Sequence, residues 1–385
     1  MSAPALTPAP IHAAAAALDD LRSRLRATRW PERETVDDWS QGIPLAYVQE
    51  LCEYWADSYD WRRVEAELNG FEQLRFTPTV GAPDTLGVQV LHAPSPHAGA
   101  LPLVLTHGWP GSVVEFLDVI EPLRDPVRFG GDAADAFHVV CPTMPGYGFS
   151  DKPTRTGWGI GRIADAWAEL MTALGYSSFG AQGGDWGSAV TLALADQHPD
   201  RCVGIHLNMV SVRPASTPEE MTPAEQTAVA RLQEHRDWGM GYSTQQSTRP
   251  QTLGYGLVDS PAGQCAWIVE KFWAWADHAG TPDSAISRDR MLDNVMHYWL
   301  PGAGASSGRL YWESFNRFRS SGPIGVPAAM SIFPKEIFTP SRRWAEGRFT
   351  DIRHWHELDR GGHFAAFERP AVFVDEVRTA FRTMR

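Results

Sequence analysis

The sequence predicts an α/β fold: a mostly parallel central sheet with helices on both faces, a helical insertion that roofs one edge, and a helical N-terminal arm. Three observations carry this expectation. From about residue 101, apolar strands alternate with glycine-rich bends and amphipathic helices, the rhythm of successive βαβ units. The rhythm breaks between about Asn208 and Arg319, where helical patterns and loops replace strands, and then resumes. Within the first rhythmic half, "GAQGGDWGSAV" (residues 180–190) joins a strand to a helix through a turn built of small residues.

The elements follow in order. After an Ala/Pro tract, the alanine run meets Asp19 and Asp20, and Leu18, Leu21 and Leu25 fall on one helical stripe. Leu45, Val48, Leu51 and Trp55 make a second amphipathic face. Pro, Gly and Asp punctuate residues 78–99, as a meander of short strands and turns would. "LPLVLTHGWPGSVVEFLDVIEPL" then gives a buried strand at 102–106, a bend and a helix. "FHVVCPTMPGYGFSDKP" is a strand running into a Pro/Gly loop, and "GIGRIADAWAELMTALGY" a helix. Beyond the insertion, "VPAAMSIFPKE" is a strand and "PAVFVDEVRTAFRTM" the closing helix. The expected organisation is an arm with its meander over 1–100, a core over 101–207 and 321–385, and a helical lid over 208–320. An insertion so placed covers a pocket at the C-terminal edge of the sheet.

Composition narrows the partners. The 385 residues are 43% hydrophobic and 21% charged, which suits a packed globular core. A net charge of -12, with no basic block, excludes nucleic acid and anionic membranes as partners. Sixteen Trp and seventeen Phe supply area both for the core and for a pocket that takes an apolar ligand. Four scattered cysteines without a CxxC pair fit neither a disulfide framework nor a zinc site. With no basic leader and no apolar run of about 18 residues, the expectation is a soluble, reduced, cytoplasmic protein.

Three motifs carry chemistry. Asp185 sits between Gly183 and Gly187, where many hydrolases place a serine on a sharp strand-to-helix turn, although Gly-Gly-Asp is also ordinary helix-capping chemistry. "HGWPGS", His107 to Ser112, follows a strand, where α/β hydrolases supply one oxyanion-hole N–H. The two donors would be the backbone amides of Trp109 and Trp186, and a cis bond at Pro110 would hold the first in place. "ELDRGGHFAAFERP" places His363 in a glycine-flanked loop before the last helix, the chain position of the hydrolase base. Its orienting acid should follow the strand "VPAAMSIF", which nominates Glu336, with Asp359 second and Asp351 and Glu357 as further rivals. In this order and context the three motifs point to an α/β-hydrolase fold.

A carboxylate changes what the turn can do. A serine that displaced a leaving group at saturated carbon would leave an ether, which water does not open. Aspartate forms an ester with itself, and a His-activated water can cleave that ester in the oxyanion hole. The substrates are therefore carbons bearing a strained ring oxygen or a halide. Along nearly its whole length the chain resembles the microsomal-type epoxide hydrolases, in a soluble microbial form. "LDDLRSRLRATRWPE" and "YWADSYDWRRVEAELNGFEQLRF" resemble that family's N-terminal region; "LTHGWPGSVVEF", "PTMPGYGFSDKP", "GGDWGS", "FPKEIFTP" and "LDRGGHFAAFERP" resemble its core motifs.

The resemblance implies two lid tyrosines that hydrogen-bond and protonate the epoxide oxygen. Motif matching assigns Tyr242 in "GMGYSTQQSTRPQTLGYGL" and Tyr311 in "SSGRLYWESF", with Tyr255 and Tyr298 as alternatives. The implied reaction turns an epoxide, apolar or aryl-bearing given the aromatic content, into a vicinal diol, with neither cofactor nor metal. Two other readings stay open. A dehalogenase would share Asp185 and His363 but need N–H donors for a halide, and a receptor on this scaffold would keep the pocket without turnover. The arm could pack on its own domain or on a neighbouring subunit, leaving a homo-oligomer open.

Overall fold

The computed structural model describes residues 5–80, 86–315 and 322–385. Residues 81–85 of the expected meander, and the expected end of the insertion at 320, lie outside them. The strands are β1 (Ala5–Pro8), β2 (Glu72–Thr77), β3 (Val88–Ala93), β4 (Leu101–Thr106), β5 (Phe137–Pro142), β6 (Phe179–Gly183), β7 (Cys202–Leu207), β8 (Ala328–Ile332) and β9 (Ile352–Glu357). They form one sheet in the order β1-β2-β3-β5-β4-β6-β7-β8-β9. Pairing is antiparallel from β1 through β3 to β5 and parallel from β5 to β9. This is the α/β-hydrolase arrangement. Strand β1 comes from the N-terminal Ala/Pro tract; its one proline, Pro8, is tolerated because it lies on the edge strand.

Alternation along β6 shows why the sheet is covered on both faces. A side chain at Gly180 would strike Phe381 of the C-terminal helix Pro370–Arg382. One at Gly183 would strike Gly187 of the helix Asp185–Gln197. Odd and even positions of a strand point to opposite faces, so these helices sandwich the sheet. Strands β6 and β8 are buried end to end, and β5 at all but one position, as strands covered twice must be.

Between β7 and β8 the described residues contain helices and no strands, among them Gly241–Thr248, Pro261–Trp275, Arg288–Trp299 and Gly304–Ser314. The N-terminal helices Leu45–Asp57 and Trp61–Asn69 are fastened to this insertion by phenols. Tyr47, Tyr54 and Tyr59 donate to Asp283 at 2.5 Å, Asp289 at 2.8 Å and Asp293 at 2.8 Å. Asp293 is fully buried and also accepts from Arg63 at 2.7 Å. Bonds of this charged type contribute roughly 1–2 kcal/mol each, the lower end applying because two of the three are partly exposed. No helix of the described residues is long and apolar enough to cross a membrane.

Candidate active site

Four loops at the C-terminal ends of neighbouring strands meet here. The loop after β6 is the tightest. Asp185 has φ +48°, the one left-handed φ among the described non-glycine residues. Such a conformation costs about 1–2 kcal/mol and persists only where its surroundings impose it. Here close packing imposes it: a Cβ on Gly187 would overlap the Thr106 carbonyl of β4, and one on Gly183 the Gly187 carbonyl. The small residues let the helix start directly over β4, with the Asp185 side chain at the tip of the bend.

The loop after β4 closes over that side chain. The Trp109 amide donates to Asp185 Oδ1 at 2.8 Å, and the Trp109–Pro110 peptide is cis. Trp186 lies in the first turn of the helix Asp185–Gln197, where amides have no intrahelical acceptor. The insertion braces the loop from above: Asn294 Nδ2 donates to the Pro110 carbonyl and the Tyr298 hydroxyl to the Gly111 carbonyl, each at 2.7 Å.

His363 comes from the loop after β9. Its Nε2 lies 3.4 Å from Asp185 Oδ2, and its Nδ1 lies 2.7 Å from Glu336 Oε1 in the loop after β8. Burial alone would push His363 down, but the Glu336 and Asp185 carboxylates outweigh it and hold the imidazole well above its ordinary value. The rival acids stand elsewhere. Asp351 pairs with Arg353, Glu357 accepts from Trp355 Nε1, and Asp359 is exposed.

Both assigned tyrosines are buried under the roof. The Tyr242 ring stacks on Trp109, with centroids 4.9 Å apart and planes 11° from parallel. Tyr311 meets Tyr242 at 5.8 Å and Trp186 at 4.8 Å, both edge to face. Burial chiefly, and the Asp185 charge in addition, raise both phenols above their ordinary value, so they stay protonated donors. Of the alternatives, Tyr255 is 72% exposed, and the Tyr298 hydroxyl is committed to the Gly111 carbonyl.

Three neighbours escaped the sequence reading. Trp275 packs edge-on against both His363 and Tyr242. Glu368 clamps the histidine loop by accepting from the amides of Gly362, Phe364 and Asp277, at 2.9, 2.9 and 2.7 Å. Glu115, three residues after Ser112, shares a small cavity with Asp185 and His363. Its S-x-x-E spacing reads as a helix-capping box, a signal that hides any chemical role. Metal-type ligands gather away from this site: His354, His356 and Glu376, where both imidazoles are hydrogen-bonded to the carboxylate at 2.8 and 2.6 Å.

Relatives fit this geometry. Residues 6–116 match the family model described as "Epoxide hydrolase N terminus", and residues 102–242 that of the "alpha/beta hydrolase fold". A Stigmatella aurantiaca protein named "Putative epoxide hydrolase" is 54% identical across 99% of this chain and 86% of its own length. Epoxide hydrolase 1 of Sus scrofa is 30% identical across 94% of this chain and 85% of its own. The structure of Aspergillus niger epoxide hydrolase matches with a TM-score of 0.87 at 29% identity, covering 99% of this chain and 97% of that one. Alike end to end in sequence and in fold, the chain belongs to the microsomal-type epoxide hydrolase family.

Proposed function

We propose that this epoxide hydrolase works in two steps through an alkyl ester on Asp185. Oδ1 rests on the Trp109 amide, which leaves Oδ2 to attack a ring carbon. Tyr242 and Tyr311 donate hydrogen bonds to the ring oxygen and protonate it as the C–O bond breaks. His363, steadied by Glu336, then deprotonates a water that attacks the ester carbonyl. The oxyanion falls to the amides of Trp109 and Trp186, and a vicinal diol departs.

One observation carries this reading: the ring of Tyr242 lies on Trp109, the same residue whose amide grips Asp185. Acid and nucleophile therefore converge on one small volume. Phenols serve an alkoxide leaving group, whereas a halide would gain nothing from their protons. The surrounding rings of Trp109, Trp186, Trp275 and Phe315 favour an apolar or aryl-bearing epoxide.

The electrostatics suit a two-step cycle. Esterification removes the Asp185 charge, one of the two that hold His363 high. The imidazole thus becomes readier to lose its proton only once the ester that it must hydrolyse has formed. The test is a single turnover in heavy-oxygen water. Label should appear first in Asp185, with the first diol unlabelled; label passing straight to that diol would refute the covalent scheme. A panel of styrene oxide and aliphatic terminal epoxides, assayed for chiral diol, tests the substrate class.

A further inference from the structure

Beside Asp185 the centre of a water molecule has about 20 Å³ to move in. One water needs about 10–15 Å³ and two to four polar partners. The walls provide them: Asp185, His363, Glu115, Gln182 and Asn208, while Tyr242 and Tyr311 are not among the lining residues. Gln182 is 1% exposed, and its Nε2 is held by Asn208 Oδ1 at 2.8 Å. Its Oε1 is buried with no partner, a cost that a bound water removes. The half-buried Glu115 lines this cavity, and its carboxyl lies over Gly111, where any Cβ would overlap Oε1.

We infer that this cavity is the binding site of the attacking water, and that Glu115 is a further catalytic residue which, with Gln182, holds that water against His363. The inference rests on the ester reading above. Burial chiefly pushes the Glu115 carboxyl up to about 8, His363 opposing and Asp185 assisting, so near neutrality it carries a proton to donate.

The water then gives one hydrogen to His363 Nε2 and one to Gln182 Oε1, accepts from Glu115, and keeps one lone pair for the ester carbon. That pair forms the new C–O bond as Nε2 takes the first proton and the carbonyl electrons move onto Oδ1. Collapse breaks the bond from the Asp185 carbon to the alkyl oxygen. The departing alkoxide takes the proton back from His363, the oxygen of the water stays on Asp185, and the water's second proton leaves that carboxyl to restore the phenol that gave up its proton in ring opening.

The test separates the two half-reactions by rapid quench and intact mass. In Glu115→Leu, ester formation should change by less than about threefold, while ester hydrolysis slows roughly 10- to 100-fold, the effect of one lost buried hydrogen bond. Glu115→Gln keeps a donor and should lose less. A capping role alone would lower the melting temperature without altering the ratio of the two rates. Should the leucine variant not fold, Gly111→Ala displaces the carboxyl instead and should show the same selective slowing. Unchanged hydrolysis, equal slowing of both steps, or a glutamine variant as slow as leucine overturns the inference. If His363→Gln, with Glu115 intact, forms no adduct on Asp185, the ester reading falls first. If it does, those outcomes overturn the water site alone.

Discussion

Replacing Glu336 by Gln removes one negative charge from a pair buried on both sides, His363 and Glu336 having side chains only 3% and 2% exposed. Their contact atoms are 2.7 Å apart. With charge spread over ring and carboxylate, a separation of about 4 Å at an effective dielectric of about 20 gives about 4 kcal/mol. Without it the imidazole holds its proton less tightly, in the direction opposite to the rise that Glu336 now causes. The transition state of ester hydrolysis builds imidazolium, so it loses most of this support. Hydrolysis should slow by about 10²–10³-fold, within the usual contribution of a positioned acid–base pair. In the proposed scheme ring opening draws on the Asp185 carboxylate and the phenols and not on Glu336, so it should slow by less than about tenfold. The ester therefore accumulates. Stopped reactions read by intact mass would show most of the protein alkylated in the steady state, and histidine NMR would show the lowered titration. Equal slowing of both half-reactions, or an unshifted His363, would sink this reasoning.

Four further outcomes can be checked. Tyr311→Phe and Tyr242→Phe should each slow ring opening about 10- to 100-fold and leave hydrolysis of the preformed ester nearly unchanged, measured in single turnovers. Since Asp185 and Glu336 both raise His363, and esterification removes the first, hydrolysis should lose rate as pH falls only at a lower pH than the titration of His363 in the free protein; an equal or higher value contradicts the coupling. Gly187→Ala forces a methyl against the Thr106 carbonyl and should cost about 1–3 kcal/mol of stability together with most activity, read by thermal melting and turnover. Asp293→Ala takes from Arg63 its shortest ion pair and from the buried Tyr59 hydroxyl its acceptor, while Arg290 keeps Glu67 and Asp118; chemical denaturation should show a loss of about 2 kcal/mol.

The chemistry-bearing part of this fold was legible because it depends on local constraints. Only small residues fit beside Asp185, so "GGDWGS" announces the bend, and the strand-then-loop context of His107 and His363 orders the motifs. Glu336 was separable from its rivals by position after β8 alone. The contacts that refine the site were hidden because they are long-range. Trp275 comes from the insertion, Glu368 acts through backbone amides, and Gln182 lies on a strand where its burial hides its free oxygen. The edge strand β1 was missed because its few residues carry no periodic signal, and pairing with β2 alone makes it a strand.

The phenol–carboxylate rungs between the first helices and the insertion bear on protein engineering. This roof grafted onto a relative's core would leave behind the tyrosines that its aspartates are paired with. Chimeras that exchange the roof together with everything through Asn69 should inherit the donor's enantiopreference intact. Exchanging the roof alone should yield sluggish, heat-sensitive catalysts.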